Sequence, residues 1–372
     1  MTALADRRDL LPPAAPDLLT QPLPATDDVP RQIGGRTLDD RASLAGALLA
    51  SLALVFVVYT GLLAWSGVLG FVVCWWLTFL GMYGAVSSLT NPRPIVVERL
   101  VAVVISTGAG VVGLALASTI LHIFVKGWPA LHHLNFYTQD MSGVRPAAPL
   151  TEGGVSHAIV GSGIEIAIAV LISLPLGIAT AVYMTEVGGR LSRIVRTVVE
   201  AMTALPDILA GLFIYTLLII TFHWERTGLT AALALVVTII PIIARSAEVV
   251  LRVVPGGLRE ASLALGASQW QTIRRVVLPT ARSGLATALI LGVARIAGET
   301  APLLIVSGAS TYFTSNPLQQ QMNSLPLFIF SAVRSGQENF IARGYGAAAL
   351  LLALVLTLFI LTRFMARDKT RR

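Results

Sequence analysis

The sequence predicts an all-α integral membrane protein of eight spans, and three observations carry that reading. Hydrophobic side chains make up 55% of the 372 residues and charged ones only 13%, about half the share of a soluble domain. Long uncharged apolar runs recur down the chain, at a mean hydropathy of +0.76. The basic residues behind the net charge of +7 fall in short clusters between those runs, the pattern of cytoplasmic loops bordering lipid and not of a nucleic-acid surface. Cys74 is the sole cysteine, so no disulfide forms within the chain.

Residues 1–42 carry Pro12, Pro13, Pro16, Pro22, Pro24 and Pro30 among mixed charges. Such a composition buries too little surface to fold, and a disordered cytoplasmic extension is expected. Apolar runs at 43–65 and 67–90 meet almost without a break around Ser66 and Gly67, which predicts an extra transmembrane hairpin over 43–90. A first core span at 100–125 and a polar outer segment follow, together covering 99–157. The core, 157–363, contains spans at 157–184, 200–222, 227–250, 284–306 and 344–363, and a basic tail occupies 364–372. Each run is long enough to cross roughly 30 Å of hydrocarbon at about 1.5 Å per residue.

Placing both termini in the cytoplasm puts 21 of the 27 basic residues inside and five outside, which sets the orientation. Trp65, Trp128 and Trp224 then fall at the outer interface, and the polar segments 126–156 and 307–343 form the outer surface. Pro175, Pro206, Pro241 and Pro302 lie one each in the fourth to seventh spans, where prolines free carbonyls and bend helices around a pathway. Glu200 and Glu248, near cytoplasmic span ends, are expected to be solvated, and Glu165 to pair across helices or meet water.

The loop 255–283 is too polar to span and too basic to lie outside. Leu258, Ala261 and Leu265 share one face at helical spacing, with Arg259 and Gln269 projecting elsewhere. Gly266 suits the end of that short helix, because glycine takes left-handed geometry without steric cost. Pro279 permits a fresh start into the next span. The picture is an amphipathic helix on the cytoplasmic face, available to a partner's groove.

Glu260-Ala261-Ser262, then Gly266, then Val276-Val277-Leu278-Pro279 resembles the EAA motif of ABC-importer permeases, with Ser262 in place of the second alanine. That resemblance implies a type I permease bundle of six transmembrane helices behind the extra hairpin. It also implies a coupling helix, in which Glu260, Ala261, Gly266, Leu278 and Pro279 serve contact with an ATP-hydrolysing subunit. The chain has no G-x-x-x-x-G-K-[ST] loop, so it carries no P-loop ATPase of its own. It is expected to bind no cofactor, and ATP is used by the partner subunit.

The seventh predicted span contains Arg295 and Glu299, four apart and therefore on one helical face. Each charge costs on the order of 2.5–3.5 kcal/mol at a helix centre, so such residues mark a buried ion pair or an anion route. Gly284, Ala288 and Gly292 repeat at a spacing that allows close approach of a neighbouring helix. Ala294-Arg295-Ile296-Ala297-Gly298-Glu299-Thr300-Ala301-Pro302-Leu303 resembles the signature of the PstA-type permease subunits of phosphate ABC importers, and the likeness runs from about 99 to 363.

The family resemblance implies a phosphate path past Arg295 and Glu299, with Arg245 a second candidate. It implies as partners an ATP-binding subunit dimer, a second permease of PstC type and an extracytoplasmic phosphate-binding protein, assembled in a bacterial inner membrane. Asp207 departs from it, standing where many members have serine; an acid there repels phosphate unless it pairs with a base or faces away. Sulfate, molybdate or phosphonate as cargo, and an ATP-independent secondary transporter, stay open as alternatives. His122, His132, His133, His157 and His223 show no metal-ligand spacing, and no nucleophile elbow occurs, so neither an enzyme nor a metal site is expected.

Overall fold

The computed structural model describes residues 38–62 and 66–367, and every described element of regular structure is a helix. The proline-rich stretch 1–37, Trp65 and the last five residues lie outside the described residues. Among the described residues, seven helices are long and apolar enough to cross a membrane, or eight if a bent pair counts as one span.

Contacts divide the chain at Gly113. In the first unit, α1 (Leu38–Phe56) continues as a π-helical turn to Leu62 and pairs with α2 (Val68–Thr90), as the hairpin reading expects. Asp40, inside the stretch assigned to the extension, lies on α1 and forms an ion pair with Arg99. Arg99 belongs to α3 (Arg93–Leu131), whose Leu100 and Val103 pack with Ala47, Phe79 and Tyr83. Trp76 Nε1 also donates to Thr107 Oγ1 at 3.3 Å. The hairpin is thus part of a three-helix cluster with the start of α3.

In the second unit, a short α4 (Asn135–Thr138) precedes α5 (Ser156–Val182), which continues as a π turn, Tyr183–Val187. Helices α6 (Gly189–Ala204), α7 (Asp207–Ile214) and α8 (Gly228–Val253) follow. Helix α8 is the central post. Thr227 caps it reciprocally with Thr230, and its small and branched residues Ala231, Ala234, Leu235, Ile239 and Ile243 form the core. A Cβ on Gly177 would lie 2.7 Å from Ile243, so α5 and α8 approach more closely than side chains allow elsewhere.

The loop 255–283 folds as α9 (Gly256–Ala264) and α10 (Gln269–Thr272), then a π turn, Ile273–Val277, leads into α11 (Leu278–Ala297). Gly284 meets Val250, Ala288 is buried, and Gly292 meets Ile239 and Ile243, so the small-residue repeat is the seam between α11 and α8. After α12 (Ala301–Val306), α13 (Leu325–Arg334) packs on α14 (Glu338–Arg367). Arg343 is buried and its Nη2 donates to the carbonyls of Ala148, Pro149 and Glu152, tying the segment 126–156 to α14.

Two expected spans are not single helices. The fifth, drawn as 200–222, breaks at Leu205-Pro206, and the helices on either side, Gly189–Ala204 and Asp207–Thr221, meet at 102°. The residue before proline is pushed out of helical geometry, and Leu205 is extended at ψ 137°. The seventh, drawn as 284–306, starts earlier and stops sooner: one helical run covers Gln269–Ala297, and the chain then turns over residues 298–300. Pro279 therefore does not open a new helix. The wide turn just before it passes the chain through the position where proline has no donor to give.

Candidate functional site

The two breaks face each other. Helix α7 crosses α12 at backbone contact, since a Cβ on Gly211 would lie 2.6 Å from the Pro302 carbonyl oxygen. Pro206 precedes the first residue of α7, and Pro302 lies in the first turn of α12. Both prolines thus start helices instead of kinking them. Asp207, at the N-terminal end of α7, sits where the helix dipole favours a negative charge.

Arg295 occupies the last turn of α11, and the turn beyond Ala297 carries Glu299 back toward it. Its Nη2 lies 2.9 Å from Asp207 Oδ2, and its Nε lies 3.6 Å from Glu299 Oε1. The tighter partner is therefore Asp207, 88 residues distant in sequence, and the Glu299 contact does not run along one helical face, because the helix has ended. This answers the question that Asp207 raised: it pairs with a base.

The arginine is 51% exposed, Asp207 30% and Glu299 13%. Arg295 and Asp207 line a cavity of about 1030 Å³ whose other walls, Leu209, Phe213, Ile242 and Leu291 among them, are mostly apolar. Apolar walls leave a charge poorly screened, so a cation with unused donors in such a cavity is a strong point of attraction for an anion.

Arg245 lies in a separate cluster on α8. Its Nη1 donates to Glu248 Oε2 at 2.8 Å and its Nη2 lies 3.2 Å from Glu200. Glu248 is buried at 1% exposure, not solvated, and also accepts from Arg196 of α6 at 2.9 Å and Arg252 at 2.6 Å. Three arginines make burial of that carboxylate tolerable, since each supplies a charge-assisted bond. Glu200 is half-exposed, as expected.

In the loop, Glu260 and Ala261 are exposed on α9, together with Leu258, Leu263 and Leu265, and Trp270 stands exposed on α10. Gly266 ends α9 at φ +82°, and the amide of Ala267 bonds back to the Ser262 carbonyl at 3.2 Å. A side chain is strained at that φ, which is why glycine stands there. Leu278 is partly buried and Pro279 exposed at the base of the α11 run. Arg259 turns inward to the Glu186 carboxylate, and the side-chain amide of Gln269, on the surface, donates to the Glu186 main-chain carbonyl.

Glu186 and Arg196 carry no sequence signal, and for Arg259 helical spacing gives its direction but not its partner, because the partners come from distant elements. Two buried polar groups on α5 stand out: neither oxygen of Glu165 and neither ring nitrogen of His157 has a hydrogen-bond partner, and His157 stacks edge-on against Phe328. His157 is buried. Trp128 and Trp224 are exposed.

Residues 173–371 match the family described as "Binding-protein-dependent transport system inner membrane component". The chain is 36% identical over 251 residues to the phosphate transport system permease protein PstA 1 of Mycobacterium tuberculosis strain H37Rv, covering 67% of this chain and 81% of that protein. It is 35% identical over 249 residues to PstA of Haemophilus influenzae, covering 66% and 86%. Among solved structures, an inward-facing MetNI methionine ABC transporter chain is 24% identical at TM-score 0.46, covering 59% of this chain and 95% of that one.

Proposed function

The chain belongs to the family of binding-protein-dependent transport system inner membrane components, and from that premise we propose that it is the PstA-type permease subunit of an ATP-driven phosphate importer. The observation that carries the reading is Arg295, half-exposed in an apolar-walled cavity at the junction of two broken helices. Discontinuous helices facing each other are how membrane carriers expose backbone and charge to a solute without exposing them to lipid.

The chemistry suits an oxyanion in transit. A guanidinium has five N–H donors in a planar fork that matches phosphate oxygens, and Asp207 occupies one nitrogen only. The two nearby carboxylates repel the same anion, which shortens its stay. Conduction needs both, attraction enough to enter and repulsion enough to leave. Arg245, partly exposed at the cytoplasmic end of α8, offers a second cation further along. Glu260, Ala261 and the exposed apolar residues around them form the face for an ATP-binding subunit, with Gly266 closing the helix and Leu278 and Pro279 at the foot of α11.

In this reading both termini are cytoplasmic in a bacterial inner membrane. A second permease of PstC type completes the pathway, an ATPase dimer docks below and an extracytoplasmic phosphate-binding protein delivers from above. The chain itself makes and breaks no covalent bonds.

The test is uptake of labelled phosphate and labelled sulfate, at low micromolar concentration, in cells lacking the gene and in cells complemented with it. Phosphate uptake is expected to fall and return with the gene while sulfate is unchanged. A sulfate defect with normal phosphate uptake would reassign the cargo.

A further inference from the structure

We infer that Arg259 is a positioning residue that clamps the cytoplasmic helix pair α9–α10 to the ends of α5 and α8, so that loop and core move as one body. The inference rests on the proposed role of α9 in docking an ATP-hydrolysing partner. Arg259 adjoins Glu260 in sequence, yet the two point apart: Glu260 is exposed, whereas the Arg259 side chain is 24% exposed and turned toward the bundle.

Every nitrogen of the guanidinium is engaged. Nε and Nη2 fork the Glu186 carboxylate at 3.0 and 2.8 Å, Nη1 donates to the Val254 carbonyl at 2.7 Å, and Nη2 also reaches the Leu251 carbonyl at 2.9 Å. Those carbonyls lie at the C-terminal end of α8, where a helix leaves acceptors unused and favours a cation. Glu186, only 8% exposed, sits in the π turn that prolongs α5. Its main-chain carbonyl accepts from the Gln269 amide, which holds α10, and the hydroxyls of Ser262 and Thr272 tie α9 to α10 at 2.8 Å. Four elements therefore converge on two residues.

The need for a clamp is written into the flanks of α9. It is entered through Pro255-Gly256-Gly257, where a Cβ on either glycine would meet nothing within 4 Å, and it is left through Gly266, equally unencumbered. Permissive backbone at both ends lets a short helix swivel under load. A push at Glu260 reaches α5 and α8 undiminished only if something stiff crosses the gap. The bidentate fork plus two carbonyl bonds supplies that stiffness, and a lysine, a point charge on a flexible stem, does not.

Two measurements on Arg259→Lys and Glu186→Gln test this. In liposomes carrying the complete transporter, uptake is expected to fall about tenfold while ATP hydrolysis falls about threefold or less, so that transport per ATP drops. Uptake and hydrolysis falling together at constant ratio would overturn the positioning role. On the full chain in lipid nanodiscs, hydrogen exchange over residues 256–264 is expected to rise about tenfold with exchange in α8 unchanged. Unchanged exchange would overturn the clamp whatever the transport result. Should wild-type liposomes show no ATP-dependent uptake, the proposed function fails, and the exchange result alone decides whether the clamp exists.

Discussion

Two clusters of charge lie in the second unit, assembled from the same residue types in opposite proportion. Around Glu248, one buried carboxylate receives three arginines at 2.6–2.9 Å, from two helices that run unbroken through the contact. Around Arg295, one half-exposed arginine receives two acids, at 2.9 and 3.6 Å, and all three stand where helices stop or start. The first arrangement leaves its central charge no spare capacity. The second leaves donors open toward a cavity. Saturation makes a joint, and incompleteness makes a site.

The prolines divide along the same line. Pro175 and Pro241 lie within α5 and α8, which continue past them, whereas Pro206 and Pro302 stand at breaks. What separates the pairs is neighbouring backbone. Leu205 is extended ahead of its proline, and a three-residue turn precedes Ala301-Pro302.

The largest expected effect falls on the open cluster. Arg295→Ala should lower phosphate uptake by about 30- to 100-fold, the worth of charge-assisted bonds to the anion, while the transporter still assembles and can be purified whole. Failure to assemble would make that cluster a joint as well. Glu260→Lys should lower uptake about tenfold or more by placing a like-sized cation on the docking face, read as loss of the ATPase subunit from pull-downs with membrane insertion intact.

Glu248→Gln should cost mainly stability, because it removes the acceptor that anchors Arg245, the second proposed cation of the route. Three arginines lose their shared acceptor, but they are a third to a half exposed, so solvent absorbs much of the loss and about 1–2 kcal/mol is expected, measured as a fall in Tm in nanodiscs. A drop in uptake with no loss of Tm would make Glu248 itself part of the route and not only the anchor of Arg245. Smallest is Asp207→Asn, which frees Arg295 of its nearest competitor. About a two- to fivefold fall in KM with a comparable fall in the maximal rate is expected from uptake kinetics, since an anion held longer is released more slowly.

Much of the scaffold was legible in the sequence, because membrane hydropathy and glycine spacing act locally. The hairpin, the seam of Gly284, Ala288 and Gly292, the Gly266 turn and the divergence of Arg259 from Leu258 and Ala261 all follow from period and backbone geometry. The two breaks were hidden, because an apolar run averages across a proline and reads as one span. The partners of the charged residues were hidden too. Asp207 and Arg295, or Glu186 and Arg259, are brought together by packing of separate helices, and nothing in either local pattern announces the other. Asp207 was visible only as an oddity, and its meaning came with the fold.

The unbroken run from Gln269 to Ala297 has a mechanical consequence. One end belongs to the loop proposed to dock the ATPase and the other carries Arg295, some 39 Å away at about 1.5 Å per residue. A rod of that length that pivots by about 5° at its foot sweeps its far end through about 3 Å, on the order of one hydrogen-bond length. A tilt too small to disturb the packing of any single helical turn is enough to carry a guanidinium from one carboxylate to the next.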